Sequence, residues 1–187
     1  MKTKKIMIIR HAEKPDDSGA PPFGVNIKGE QDKESLIPLG WQRAGALAEF
    51  FAPAHGKLHN PGLAVPKFLY ASGVGKHSNS LRPQETITPL SRKLWIAINT
   101  NFAKENESSM VRHAMEQDGT VLITWEHQDI PGIANIILGN DTTVPQEWPG
   151  DRFDLVWIFD LTNGAYAFSQ VPQQLLAGDS NKTITSN

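Results

Sequence analysis

The sequence predicts an α/β fold of three layers, a mostly parallel sheet with helices on both faces. Two observations carry that expectation. Apolar runs bounded by turn residues alternate with segments of helical period. The first of these runs, Ile6 to Ile9, is apolar without alternation, as a central strand covered on both sides should be.

The first strand is KIMIIR, Lys5 to Arg10. The stretch Asp16 to Ser35 is polar, rich in Gly and Pro, and without period. A loop that long in a compact domain is expected to be a lid, a binding loop or a disordered segment. PLGWQRAGALAEFF then sets Trp41, Ala44, Leu47, Ala48 and Phe51 on one helical face. PKFLYAS, Pro66 to Ser72, reads as the second strand and leads through GVGKHSNSL into a helix RPQETITPLSRKL, with Pro83 suited to the first turn.

A further helix is expected from about Ala103 to Gln117, and a buried strand at TVLITW, Thr120 to Trp125. IPGIANIIL continues as a short helix with Asp129 as N-cap. FDLVWIFDL and AYAFSQV flank Thr162-Asn163-Gly164, the pattern of an antiparallel hairpin. From Pro172 the chain turns polar and is expected to be loose apart from Leu175 and Leu176. The expected organisation is one domain over residues 1–171 and a polar tail over 172–187, which suits a length of 187 residues.

Composition narrows the function. A net charge of -2 gives no field for binding a polyanion, so no nucleic acid is expected as partner. The N-terminal apolar run is too short for a signal-peptide core or a membrane span, so no membrane partner is expected and the location read is cytoplasmic. The absence of cysteine excludes thiol nucleophiles and thiolate zinc sites.

Ligands of open α/β sheets bind at the carboxyl ends of the parallel strands. The first strand ends in Arg10-His11, the second leads to Arg82, and TVLITW ends in Glu126-His127. Two guanidinium groups and two imidazoles on one rim suit a small tetrahedral dianion, since Arg offers a planar fork for two oxygens. Without cysteine, a histidine is the candidate nucleophile, forming a covalent phosphoryl intermediate that water cleaves.

IIRHAEKP, PLGWQRAGALAEFF, SLRPQETITPL and VLITWEH, in that order, resemble the histidine phosphatase superfamily, which includes phosphoglycerate mutase. The resemblance implies a phosphoglycerate mutase-like fold and phosphoryl transfer without metal or other cofactor. It makes His11 the nucleophile, Arg10 and Arg82 the phosphate clamp, and His127 a second histidine bonded to the transferring group. The substrate would be a small phosphorylated molecule or a phosphoprotein, its selection resting on the loops Asp16 to Ser35 and Ala71 to Leu81.

Two positions depart from the family pattern. Ala12 stands where Gly is usual, and the proton donor for the leaving group is not marked: Ile98 to Phe102 holds no carboxylate, and Gln128 follows the second histidine. Glu126 is the first candidate, beside His127, followed by Asp129, Glu13, Glu105 and Glu107. A phosphohistidine phosphatase needs no such acid, and a noncatalytic phosphate or phosphoprotein binder would keep the clamp without one.

Rival motifs fall short. YASGVGKHS has the setting of a P-loop but starts on Tyr70 and has His77 where Ser or Thr should follow the lysine. IFDLTNG resembles the opening of an aspartate-nucleophile phosphatase but carries Thr162 at its second acidic position. A zinc site from His113, Glu126, His127 and Asp129 lacks ordinary ligand spacing.

Overall fold

A computed structural model of the chain describes residues 4–185. Six strands and four helices follow in the order β1 (Lys5–Arg10), α1 (Pro38–Phe51), β2 (Phe68–Ala71), α2 (Arg82–Leu94), β3 (Ile98–Asn99), α3 (Glu107–Met115), β4 (Thr120–Trp125), α4 (Ile130–Leu138), β5 (Leu155–Thr162) and β6 (Ala165–Pro172). The sheet order is β3-β2-β4-β1-β5-β6. The first four in that order run parallel, and β5 and β6 join antiparallel. The expected α/β sheet, mostly parallel, is therefore the one formed.

Alternate residues of each central strand feed opposite sides of the sheet. Ile6, Ile8, Val121 and Ile123 pack with Met110 and Val111 of α3 and Ile133 and Ile137 of α4. Met7, Ile9, Leu69 and Leu122 pack with Leu47 and Phe51 of α1 and Ile87 and Leu90 of α2. Residues Ile6 to Ile9 are fully buried, because both faces of β1 are covered.

The hairpin closes as its sequence requires: Asn163 and Gly164 adopt positive φ values of 53 and 86 between β5 and β6, the backbone a two-residue primed turn needs. Two elements differ from expectation. The helix expected from Ala103 begins only at Glu107, because Ala103 bridges to Gly73 and Glu105 takes a φ of 75, which no helix continues through. The two-residue β3 was not foreseen; it has too few residues to show a period.

As far as residue 185 the tail is packed rather than loose. Arg43 of α1 donates to Glu13, to Gln173 and to both carboxylate oxygens of Asp179, and all four side chains are largely buried. Asp179 also accepts from the Leu175 and Leu176 amides. Polar composition misled here, since polar side chains are buried readily once they find each other.

Candidate active site

The β1–β4 register sets Arg10 opposite Trp125 and, on the next strand, Ala71 opposite Thr124, so three strands end at one level. His11 N donates to Trp125 O at 3.1 Å, carrying the ladder one residue further. A cleft of about 350 Å³ opens there, lined by His11, Lys14, Glu34, His77, Ser78, Asn79, Ser80, Arg82, Glu126, His127 and Gln128.

His11 is anchored on both sides. Its Nδ1 lies 2.7 Å from Ala12 O, and Ala12 N donates to Thr86 Oγ1 of α2 at 2.8 Å. The Ala12 methyl is buried with Leu36 and Ala44, so the methyl group that replaces the usual glycine hydrogen has a space of its own. The following turn presses on α1 so closely that a Cβ at Gly40 would stand 2.4 Å from Glu13 O, a position only glycine fills.

Arg82 heads α2, with Nη2 donating to Lys33 O at 2.6 Å and lying 3.9 Å from the Glu34 carboxylate. His127 follows β4. Arg10 does not line the cleft: Nη1 donates to the carbonyls of Gly150 and Arg152 at 2.7 and 3.0 Å, and the guanidinium lies 3.7 Å over the Phe153 ring. It stands behind His11 as a fixed positive charge. Burial lowers its pKa to about 10, which leaves it protonated at neutral pH.

The imidazoles of His11 and His127 are held neutral. Burial first, then the charges of Arg10 and Arg82, lowers His11 to about 3; burial and Arg10 lower His127 to about 4. Among the described residues, five buried side-chain nitrogen or oxygen atoms lack a hydrogen-bond partner, and three of them are Arg10 Nε, Arg82 Nε and His127 Nδ1. Two of these, Arg82 Nε and His127 Nδ1, belong to residues that line the cleft, and unpaired polar atoms there point to a polar ligand.

The candidate proton donors are spread out. Glu126 lines the cleft, yet both its oxygens are taken, by Ser78 Oγ at 3.1 Å and Lys104 Nζ at 2.7 Å. Glu13 turns to Arg43, and Glu107 accepts from Trp125 Nε1. Asp129 occupies the N-cap position of α4 but makes no side-chain cap there; it faces Lys104 at 3.7 Å off the cleft wall, and burial raises its pKa. Glu105 folds back to His77, with Nε2 and Oε2 3.2 Å apart.

Lys14, Glu34, His77 and Lys104 were not singled out from sequence as site residues. Lys14 follows the first strand end within IIRHAEKP, whereas Glu34, His77 and Lys104 reach the cleft or its wall through loop packing that no local spacing announces. Among the described residues no cluster of three or more His, Cys, Asp or Glu is arranged to hold a metal ion, and His113 is engaged with Tyr70 OH at 2.7 Å. No helix of the described residues is long and apolar enough to cross a membrane.

The sequence matches no family model and no curated protein. The fold is shared with solved phosphatase structures. A protein assigned as the phosphohistidine phosphatase SixA of Agrobacterium tumefaciens is 15% identical, with a TM-score of 0.54 over 89% of this chain and 96% of that one. A phosphoserine phosphatase of Entamoeba histolytica, in complex with phosphoserine, is 12% identical with a TM-score of 0.57 over 93% and 99%. A mycobacterial glucosyl-3-phosphoglycerate phosphatase, complexed with VO3, is 10% identical with a TM-score of 0.52 over 89% and 97%. The phosphoglycerate mutase-like architecture implied by the sequence resemblance is thus the fold of this chain.

Proposed function

We propose that the chain is a metal-independent phosphomonoester phosphatase that works through a phosphohistidine at His11. The observation that carries the reading is the hydrogen bond from His11 Nδ1 to Ala12 O, because a carbonyl only accepts. The ring proton therefore sits on Nδ1, and Nε2 keeps its lone pair, in a cleft shared with Arg82 and His127. A neutral imidazole on a fixed strand end attacks phosphorus in line, while Arg82, His127 and the charge of Arg10 behind stabilise the equatorial oxygens. Water then cleaves the phosphoenzyme.

A small phosphorylated molecule or an exposed phosphorylated side chain fits a cleft of this size. A cytoplasmic setting belongs to the same reading. The occupied oxygens of Glu126 favour a second possibility, a phosphohistidine substrate whose imidazole leaves without a carboxylic acid.

Hydrolysis of an aryl phosphate in excess chelator tests the proposal, with acid-labile phosphoenzyme trapped from wild type and His11→Ala. Turnover that survives chelation and disappears with His11 is expected. Near-normal turnover in His11→Ala would sink the mechanism, and phosphate binding without turnover would leave the noncatalytic binder.

A further inference from the structure

In an in-line displacement the leaving group departs on the side opposite the nucleophile. His11 is 3% exposed at the base of the cleft, so that side is the open rim. For a phosphomonoester, whose alkoxide leaves poorly, the proton donor belongs there. Of the two carboxylates that line the cleft, Glu126 is engaged by Ser78 and Lys104, and Glu34 lies 3.9 Å from the Arg82 guanidinium, whose charge favours its ionised form over a proton-donating one.

His77 stands at the rim, its side chain 46% exposed, and lines the same cleft as His11. It sits within a tight turn whose ends bond each other, Gly75 N to Ser78 O at 2.9 Å and Ser78 N to Gly75 O at 3.3 Å. A Cβ at Gly75 would lie 2.7 Å from the Ala103 methyl, so this turn packs directly on the segment that carries Glu105. Glu105 holds a positive φ of 75, an uncommon conformation for a non-glycine residue, and directs its carboxylate to His77 Nε2.

We propose that His77, oriented by Glu105, is the general acid that protonates the leaving group, an assignment that rests on the phosphatase reading of the same cleft. Glu105 takes Nε2, which leaves Nδ1 for the substrate. As the bond from His11 Nε2 to phosphorus forms and the bond from phosphorus to the leaving oxygen breaks, the Nδ1 proton passes to that oxygen. Water then attacks phosphorus as the bond to His11 Nε2 breaks, phosphate departs and His11 recovers its lone pair, while the neutral His77 takes the proton from that water and returns to its acid form. His77 is the catalytic residue of the pair and Glu105 its positioning residue. The substrate class follows: alkyl phosphates, whose alkoxide cannot leave unprotonated, fall within reach of the enzyme.

The test is kcat/KM for wild type, His77→Ala and Glu105→Gln on two substrates, β-glycerophosphate and 2,4-dinitrophenyl phosphate. For His77→Ala a loss of about a hundredfold or more is expected on the alkyl ester, against about threefold or less on the activated aryl ester. Added imidazole should restore part of the alkyl activity, and Glu105→Gln should show a smaller loss with the same substrate dependence. Equal losses on both substrates would make the pair structural, and a substrate-dependent loss in Glu126→Gln with none in His77→Ala would move the acid to Glu126. Either result overturns this assignment while leaving His11 as nucleophile. Wild type that turns over neither ester and forms no phosphoenzyme would remove the phosphatase reading itself, and this assignment with it.

Discussion

His11 Nδ1 donates to Ala12 O at 2.7 Å while Ala12 N donates to Thr86 Oγ1 at 2.8 Å, so the tautomer of His11, the proposed nucleophile, is fixed by a peptide unit that α2 holds from the other side. Thr86 is fully buried, and its hydroxyl donates in turn to Arg82 O. Thr86→Val keeps the shape and leaves the Ala12 amide unpaired. The expected cost is about 1–3 kcal/mol of stability, together with a fall in kcat that exceeds any change in KM. Urea denaturation and steady-state kinetics read the two effects, and unchanged kcat would dissociate Thr86 from the alignment of His11.

The two neutral imidazoles make stability depend on pH. Their folded-state values, about 3 for His11 and about 4 for His127, lie below the ordinary 6.5, so the unfolded chain binds more protons between those limits. This contribution is fully present above about pH 6.5 and is lost as pH falls toward 4 and 3. Melting temperature should decline on acidification through that window, with a flatter decline in His127→Asn. Parallel curves for the two proteins would show that His127 is not held neutral by the fold.

Arg82 ties the cleft to the long loop, since Nη2 donates to Lys33 O. Arg82→Ala should weaken vanadate binding by about a hundredfold and leave the circular dichroism spectrum unchanged. Arg82→Lys should recover only part of the affinity, because an ammonium lacks the planar fork. Full recovery would mean that charge alone is recognised.

Asp179 offers a test at a distance from the cleft. It meets Arg43 through Nη2 at 2.7 Å with both side chains nearly buried, and Arg43 meets Glu13, two residues beyond His11. Removing one member of a buried ionic group typically costs about 3–5 kcal/mol. Asp179→Ala should therefore lose stability on that scale in thermal or urea unfolding, and a loss below about 1 kcal/mol would show the tail to be a surface attachment only.

The fold was legible where one element's own period carried the information. β1, β2, β4, α1, α2, α4 and the hairpin all declare themselves by apolar spacing or by turn residues. Ala103 to Asn106 was not legible, because its departure from helix is imposed by the pairing of Ala103 with Gly73, some thirty residues away. The candidate site divides in the same way. Arg10, His11, Arg82 and His127 sit at strand and helix ends, where sequence order gives position directly. Lys104, Glu34 and His77 arrive through loop packing, and no local pattern says that Lys104 will close on Glu126 or Glu105 on His77.

The unpaired Arg10 Nε, Arg82 Nε and His127 Nδ1 have a consequence for engineering. They are local frustration: each is a desolvated polar atom that the rest of the chain does not satisfy, and each weighs against folding. A search for thermostable variants would tend to replace these very side chains with apolar ones of similar shape, and would obtain a sturdier protein with no appetite for an anion. Selection for stability and selection for phosphate binding should diverge first at these three positions.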